Sequence, residues 1–354
     1  GGFGAMGLLE RVRRVRRLAG LLGLLAGGLA AIVATLEPAA LLWSAAQLLH
    51  SLSPSPLAWA SEWQDVAWAH WLSRAPSAPR DPSPLPVLRP GERPASLATP
   101  FVVRGLLNGS RAMERFGGTA WLREPPLRDL LVDYHEDAAA EHAVTPRGRG
   151  RLGEVVERIL GGGREKLGTQ KVFATFPELL PELGARALLA PLFGESHFRK
   201  SWMGRTLTVP LFVGRGSEDG AVVRTDLHCE PIGNVVLMLT GGKRWTLVAP
   251  NQSYALKPTV SPDGRAYFLS MLPNVPPPGV FASHVERYEV ETFAGDVLWV
   301  PTWTWHRVEY LPGVTAVSVS LFHVRSEQIW TLNPLFATLL APNFLKELLG
   351  WKTQ

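Results

Sequence analysis

Behind a basic flank the chain carries an uncharged apolar run, then passes through a proline-rich stretch and settles into short β-rich segments. Leu18 to Leu36 is nineteen residues without a charge; as a helix rising about 1.5 Å per residue it covers about 28 Å, close to the roughly 30 Å hydrocarbon core of a bilayer. It predicts one membrane-spanning helix. A cleaved signal peptide, whose apolar region usually runs about 7–15 residues, fits that length less well. Ala39 to His50 is a second apolar run, too short to span, and predicts an interfacial or packed helix. It continues into Trp59, Trp63, Trp68 and Trp71, whose spacing puts most of the indoles on one side of a helix. Eight prolines between residues 76 and 100 then predict an extended spacer without helix or sheet ladders.

Beyond Pro100 the pattern changes. Phe101-Val102-Val103-Arg104-Gly105 predicts a short buried strand ending in a turn. Trp121 to Tyr134 and Leu152 to Leu160 have helical periodicity, the second stopped by Gly161-Gly162-Gly163. Phe176 to Phe193 predicts one or two short helices broken by Pro181 and Pro191. From Leu207 onward strands dominate: Leu207 to Val213, Ala221 to Thr225, Asn234 to Thr240, Lys243 to Val248, Tyr288 to Phe293, Val297 to Pro301, Trp305 to Tyr310 and Thr315 to Val324. Gly241-Gly242 between two β-rich runs predicts a tight hairpin, because a two-residue turn that matches strand twist needs positive φ. Leu272 to Gly279 is a proline-rich loop. Many short strands at close spacing predict a sandwich or barrel. The tail, with apolar positions at Leu332, Leu335, Phe336, Leu339 and Leu340 and again from Phe344 to Leu349, predicts two amphipathic helices around Pro342.

These patterns divide the chain into a basic flank and anchor at 1–37, a Trp-rich helical segment at 38–75, a spacer at 76–99, a β-rich domain at 100–326 and a helical tail at 327–354. The net charge of +5 is local, because Arg11, Arg13, Arg14, Arg16 and Arg17 crowd the first segment. That argues against a basic groove, so no nucleic-acid partner is expected. Beside an apolar span, the same arginines hold the N-terminus on the cytoplasmic side and send the later domains across, which predicts a single-pass membrane protein with a lumenal C-terminal domain. The single cysteine, Cys229, excludes an intramolecular disulfide and any zinc site built from cysteines.

Candidate chemistry therefore rests on histidines and carboxylates. His228 and Glu230 are two apart, so on an extended segment both leave the same face and can converge on one ion. His306 has to be brought in from another strand. Two imidazoles and a carboxylate suit a divalent metal held on one face with open positions opposite. On its own His-x-Glu is a weak signal, since most such pairs carry no metal. Lys243, Trp245 and Leu247 alternate onto one face of their strand, which would bury an ammonium that needs an anion to offset its desolvation. His135, His142, His197, His284 and His323 have no partner at metal spacing.

The residues around these positions resemble the JmjC and cupin-like branch of the 2-oxoglutarate-dependent oxygenases, over about residues 98 to 325. The resemblance is carried by Thr225-x-x-His228-x-Glu230-x-x-x-Asn234, by Gly242-Lys243-Arg244-Trp245-x-Leu247-x-x-Pro250, by Gly295-Asp296-Val297-Leu298-x-Val300-Pro301 leading to Trp305-His306-x-Val308, and by the Phe101 to Gly105 opening. It implies a mainly β fold with flanking helices around a double-stranded β-helix, and His228, Glu230 and His306 as Fe(II) ligands. It further implies that Lys243 pairs with the distal carboxylate of 2-oxoglutarate, that Thr225 donates to the same region and that Asn234 lines the cofactor pocket. Glu230 stands where Asp is more frequent, and Ser318 and Ser320 stand where related hydroxylases often place an asparagine. The implied activity is hydroxylation of a protein side chain. The alternative is a catalytically silent cupin-like subunit of a membrane assembly, with the C-terminal helices as contacts to a second copy or another protein.

Overall fold

Short apolar segments that are buried on one or both faces close into two facing sheets, and flanking helices cover the outer side of one of them. The structure is a computed structural model describing residues 38–52, 58–74, 81–140, 148–194, 204–261, 264–272 and 285–348. Leu18 to Leu36, the predicted membrane helix, lies outside the described residues, as do nearly all of the 272–279 loop and His142, His197 and His284. Among the described residues no helix is long and apolar enough to cross a membrane.

The helices, in chain order, are α1 (Pro38–Leu52), α2 (Ala58–Leu72), α3 (Arg111–Phe116), α4 (Leu152–Leu160), α5 (Lys171–Thr175), α6 (Ala185–Phe193), α7 (Ser326–Leu332) and α8 (Pro334–Leu348). The strands are β1 (Val87–Leu88), β2 (Phe101–Val103), β3 (Leu131–His135), β4 (Gly148–Arg151), β5 (Lys166–Thr169), β6 (Gly204–Thr208), β7 (Leu211–Arg215), β8 (Arg224–Cys229), β9 (Gly233–Thr240), β10 (Gly242–Val248), β11 (Pro258–Val260), β12 (Phe268–Ser270), β13 (Tyr288–Phe293), β14 (Val297–Val300), β15 (Trp305–Tyr310) and β16 (Thr315–Arg325). The described residues form two compact units, one drawn from the ranges Gly1–Ser73, Val260–Ala266 and Asn333–Gln354, the other from Arg74–Thr259 and Tyr267–Leu332.

In the first unit α1, α2 and α8 share an apolar core. Trp43, 1% exposed, meets Trp71 edge-on with ring centroids 5.8 Å apart and Phe336 at the same separation. The apolar positions Phe336, Leu339 and Leu340 of the tail are thereby covered within the chain. The tail divides at Asn333 rather than at Pro342. The Asn333 side chain accepts the Phe336 N–H at 3.1 Å and so caps α8, while Pro342 is carried inside the helix. Trp63 does not share the buried side of α2, being 36% exposed.

The second unit is the β domain. One sheet runs in the order β1-β2-β14-β9-β16-β7-β5-β3-β4 with β6 also on β16; the other runs β11-β12-β8-β15-β10-β13. Eight strands, β7, β8, β9, β10, β13, β14, β15 and β16, pass between these sheets as the chain winds around one interior, the double-stranded β-helix arrangement. Side chains on β9 and β14 divide by parity: Val235, Leu237, Val297 and Trp299 face the helices, while Val236, Met238, Leu298 and Val300 face the interior. Burial on both faces is why β9 reads as a continuous apolar run rather than an alternation.

Several sequence expectations are corrected. Gly241-Gly242 is not a hairpin turn, because β9 and β10 lie in different sheets and the glycines carry the chain from one to the other. Gly241 has φ +67°, and a Cβ there would come within 2.1 Å of the Thr315 carbonyl oxygen. The segment 121–134 is not one helix: Pro125 and Pro126 confine it to two 3-10 turns, after which Leu131 onward forms β3. Leu207 to Val213 spans parts of two strands with Pro210 between them. The strand expected at 221–225 is instead Arg224–Cys229, so it carries His228 itself. The proline spacer contributes β1, an edge strand parallel to β2. In the 176–193 segment the break falls at Gly184 (φ 56°), with Pro191 inside α6.

The opening motif and the Gly295-Asp296 motif prove to be one structural joint. Asp296, 5% exposed, accepts Arg104 Nη1 at 2.5 Å, the Gly105 N–H at 3.0 Å and the Phe293 N–H at 2.9 Å. It fastens the end of β2 to the turn that leads into β14, the strand before the one that supplies His306.

Candidate metal centre

His228 and His306 meet because β8 and β15 are antiparallel neighbours that place them directly opposite each other. Their ring centroids lie 4.2 Å apart, with the planes tilted by 51°. Glu230 follows immediately after β8, and one donor atom from each of the three residues falls within 4.8 Å of the others. A bulge helps to build the site. Between the His306–His228 and Val308–Thr225 pairs, β8 carries one residue more than β15. Thr225 and His228, three apart, therefore both reach the partner strand on the same side.

Both imidazoles are oriented by main-chain carbonyls two residues back. Nδ1 of His228 lies 2.7 Å from the Asp226 oxygen and Nδ1 of His306 lies 3.0 Å from the Thr304 oxygen. Such bonds hold the proton on Nδ1 and free Nε2 as an electron-pair donor. Burial pushes the His306 pKa down, only partly opposed by its bond to the Thr304 carbonyl, which keeps the ring in the neutral form a metal requires. Burial, reinforced by the neighbouring Glu230 charge, pushes the Cys229 thiol well up, so this buried cysteine stays protonated.

The second cluster sits farther along the same interior row. On β10 and β15 the paired residues are Leu247 with His306, Trp245 with Val308 and Lys243 with Tyr310. Lys243 is 2% exposed, and its ammonium donates to Ser318 Oγ in the facing sheet at 2.6 Å. It also lies over the Tyr310 ring at 4.8 Å and the Phe212 ring at 5.6 Å. Burial, and then the charge of Lys166, lower its pKa from 10.5 to about 7. Lys166 is itself buried and donates to the Arg224 carbonyl at 3.0 Å. Among the described residues no carboxylate pairs with Lys243, so an ammonium stands in an apolar interior without a counter-charge.

Thr225 Oγ1 accepts the Val308 N–H at 3.1 Å, which leaves its own hydrogen available. Asn234 is 5% exposed, and its Oδ1 has no hydrogen-bond partner among the described residues. All six residues singled out in the sequence thus lie in the β domain, the three donors as one cluster and Lys243 along the same interior row. Ser318, noted in the sequence only as a departure, is the hydroxyl that holds Lys243. Tyr310, Phe212 and Lys166 were not anticipated: no local pattern shows that they face Lys243, and β5, which carries Lys166, was not foreseen as a strand. His323 is 1% exposed on β16, and burial followed by the Arg325 charge lowers its pKa to about 4, as suits a packed neutral ring.

The donor set fits a divalent ion, and the buried ammonium, together with the Thr225 hydroxyl hydrogen, fits an anionic guest. No curated protein matches the chain significantly. A family profile described as a cupin-like domain does match, over residues 92–328, well beyond half of the chain and containing every residue of the site. On the fold, the site and this match together, the protein belongs to the cupin-like family of the JmjC type.

Proposed function

We propose that the β domain is an Fe(II)- and 2-oxoglutarate-dependent oxygenase that hydroxylates a protein side chain, held at a membrane by residues 18–36 with its C-terminal domain on the lumenal side. The observation that carries the enzymatic reading is the pairing of two features in one interior: a His-Glu-His donor set within 4.8 Å, and a buried lysine that has no carboxylate partner among the described residues. Two neutral imidazoles and one carboxylate occupy one face of an ion and leave the opposite positions open, the arrangement of non-haem iron oxygenases. Bound there, Fe(II) supplies the redox chemistry that couples oxidative decarboxylation of the oxo-acid to insertion of oxygen into a C–H bond.

The chain's own residues do the holding. His228, Glu230 and His306 fix the ion. Lys243, set by Ser318 and flanked by Tyr310 and Phe212, draws the distal carboxylate inward, and the Thr225 hydroxyl donates to the same group. Asn234 lines the pocket with an amide still able to bond. Trp245, Leu247 and Val308 keep water from the space between the two clusters. The membrane and lumenal parts of the reading rest on the charge and length pattern of residues 11 to 36, and restrict substrates to proteins at the same surface.

The test is succinate formation by the purified chain with Fe(II), 2-oxoglutarate and O₂, stimulated by a polypeptide substrate and abolished in H228A. A chain that binds neither a divalent ion nor 2-oxoglutarate sinks the proposal. A cellular role retained by H228A assigns the protein instead to the silent-subunit alternative.

A further inference from the structure

The turn at residues 301–304, between β14 and β15, touches two of the three donors. The Trp303 amide N–H donates to the Glu230 carbonyl at 3.0 Å, and the Thr304 carbonyl accepts Nδ1 of His306 at 3.0 Å. Trp303 makes its bond from φ +64°, one of two positive-φ positions not occupied by glycine among the described residues. A bulky residue adopts that conformation rarely, and it persists only where the surroundings impose it. Here the surroundings are explicit. The indole is fully buried and its Nε1–H donates to the Ile329 carbonyl at 3.0 Å. The neighbouring Thr302 hydroxyl donates to the Gln328 side chain, also at 3.0 Å. Both anchors lie on α7.

His228 needs no such help, because pairing with His306 across the ladder fixes its backbone. Glu230 is different: it lies past Cys229, the last residue of β8. A glutamate also carries one methylene more than an aspartate, so its main chain has to sit about 1.5 Å farther from the ion to deliver a carboxylate to the same point. Resting on the metal-binding reading above, we infer that Trp303 is the positioning residue for Glu230: its strained, α7-anchored backbone holds the Glu230 main chain at the set-back this longer carboxylate requires.

Co(II) alone, titrated into the full-length chain by calorimetry and visible absorption, tests this. W303F keeps a buried aromatic ring, smaller than the indole, and loses the bond to Ile329; W303G accepts the positive φ without strain and loses the whole indole, leaving only the Thr302 contact with α7. W299F is the matched control, since Trp299 is equally buried and its indole donates to the Leu97 carbonyl at 2.9 Å without touching the donor set. The expected result is about tenfold weaker Co(II) binding in W303F, a larger loss in W303G and a change within about twofold in W299F, with W303F and W299F losing similar amounts of thermal stability. E230D weakens binding as well, and its loss combined with W303F is less than the product of the two, because the backbone and the methylene act on one distance. Where W303G does not fold, W303F and the double variant decide. The inference is overturned if W303F binds like W299F, or if the E230D and W303F losses simply multiply. A parent chain that does not bind Co(II) overturns the metal reading itself.

Discussion

Replacing Lys243 by methionine separates the demands of the fold from those of the pocket. The stem keeps its length and packing while the ammonium is removed from a site 2% exposed. The lowering of the lysine pKa from 10.5 to about 7, caused by burial and then by Lys166, corresponds to roughly 4–5 kcal/mol of bias against the charged form, at about 1.4 kcal/mol per tenfold. Because the folded value lies below the unfolded one, this penalty is full below pH 7 and fades as the pH rises toward 10.5. Against it, the variant gives up the bond to Ser318, about 1–2 kcal/mol, and the contacts with the Tyr310 and Phe212 rings, roughly 0.5–1 kcal/mol. The ligand-free variant is therefore more stable than the parent by about 2 kcal/mol at pH 6, a rise in Tm of roughly 4–8 °C for a domain of this size. At pH 9.5 the gain is mostly gone. With 2-oxoglutarate at about 100 times the parent Kd the order reverses, since the parent gains about 2.7 kcal/mol and the variant gains nothing. Scanning calorimetry at the two pH values, with and without the oxo-acid, reads all of this. A variant less stable than the parent at pH 6, or one that keeps the ligand-induced shift, refutes the reasoning.

Three other perturbations probe the same architecture. H228A and H306A each weaken Co(II) binding by at least about a hundredfold, as loss of one of three donors should, while far-UV circular dichroism stays unchanged. The affinity of the parent for 2-oxoglutarate falls about tenfold per pH unit above pH 7, because only charged Lys243 pairs with the carboxylate and the groups facing it, Lys166 and Tyr310, supply no compensating anion; a flat titration between pH 7 and 9 contradicts it. D296A lowers stability by about 3 kcal/mol in urea unfolding, since it strips a buried carboxylate from Arg104 and two backbone N–H groups. It does so without altering the stoichiometry of Co(II) binding.

What the sequence disclosed follows from how local each cause is. Tyr288–Phe293 and Trp305–Tyr310 coincide with their predicted strands, because alternation within six residues decides which face each side chain takes. The Leu152–Leu160 helix was equally legible, with a clear apolar face and a glycine stop. Pairing is not local. The Gly241-Gly242 pair looks like a hairpin turn within its own window, yet the strands on either side find their partners in β16 and β14 on one hand and in β13 and β15 on the other. Nothing within ten residues of the glycines distinguishes those outcomes. The helix expected at 121–134 failed for the opposite reason, since its period continues through two prolines that each remove a backbone donor.

The candidate site shows the same division at higher resolution. The spacing of Thr225, His228 and Glu230 points to one surface only if β8 is irregular, because residues three apart on a regular strand face opposite ways. The bulge that reconciles them is visible only against β15. Lys243 could be placed inside by alternation, but its environment could not: Ser318 comes from 75 residues downstream and from the other sheet. A single hydroxyl there orients the ammonium without neutralising it, whereas a carboxylate would have neutralised it and closed the pocket to an anion. Seen this way, Ser318 is more than a departure from a related pattern. Exchanging it for aspartate supplies the missing counter-charge, so S318D raises the Lys243 pKa well above 7 and shifts the ligand-free chain toward greater stability below that pH. It also abolishes 2-oxoglutarate binding, because the incoming carboxylate then meets a pair that is already neutral. An S318D chain that still binds the oxo-acid as the parent does would show that Lys243 is not where the distal carboxylate goes.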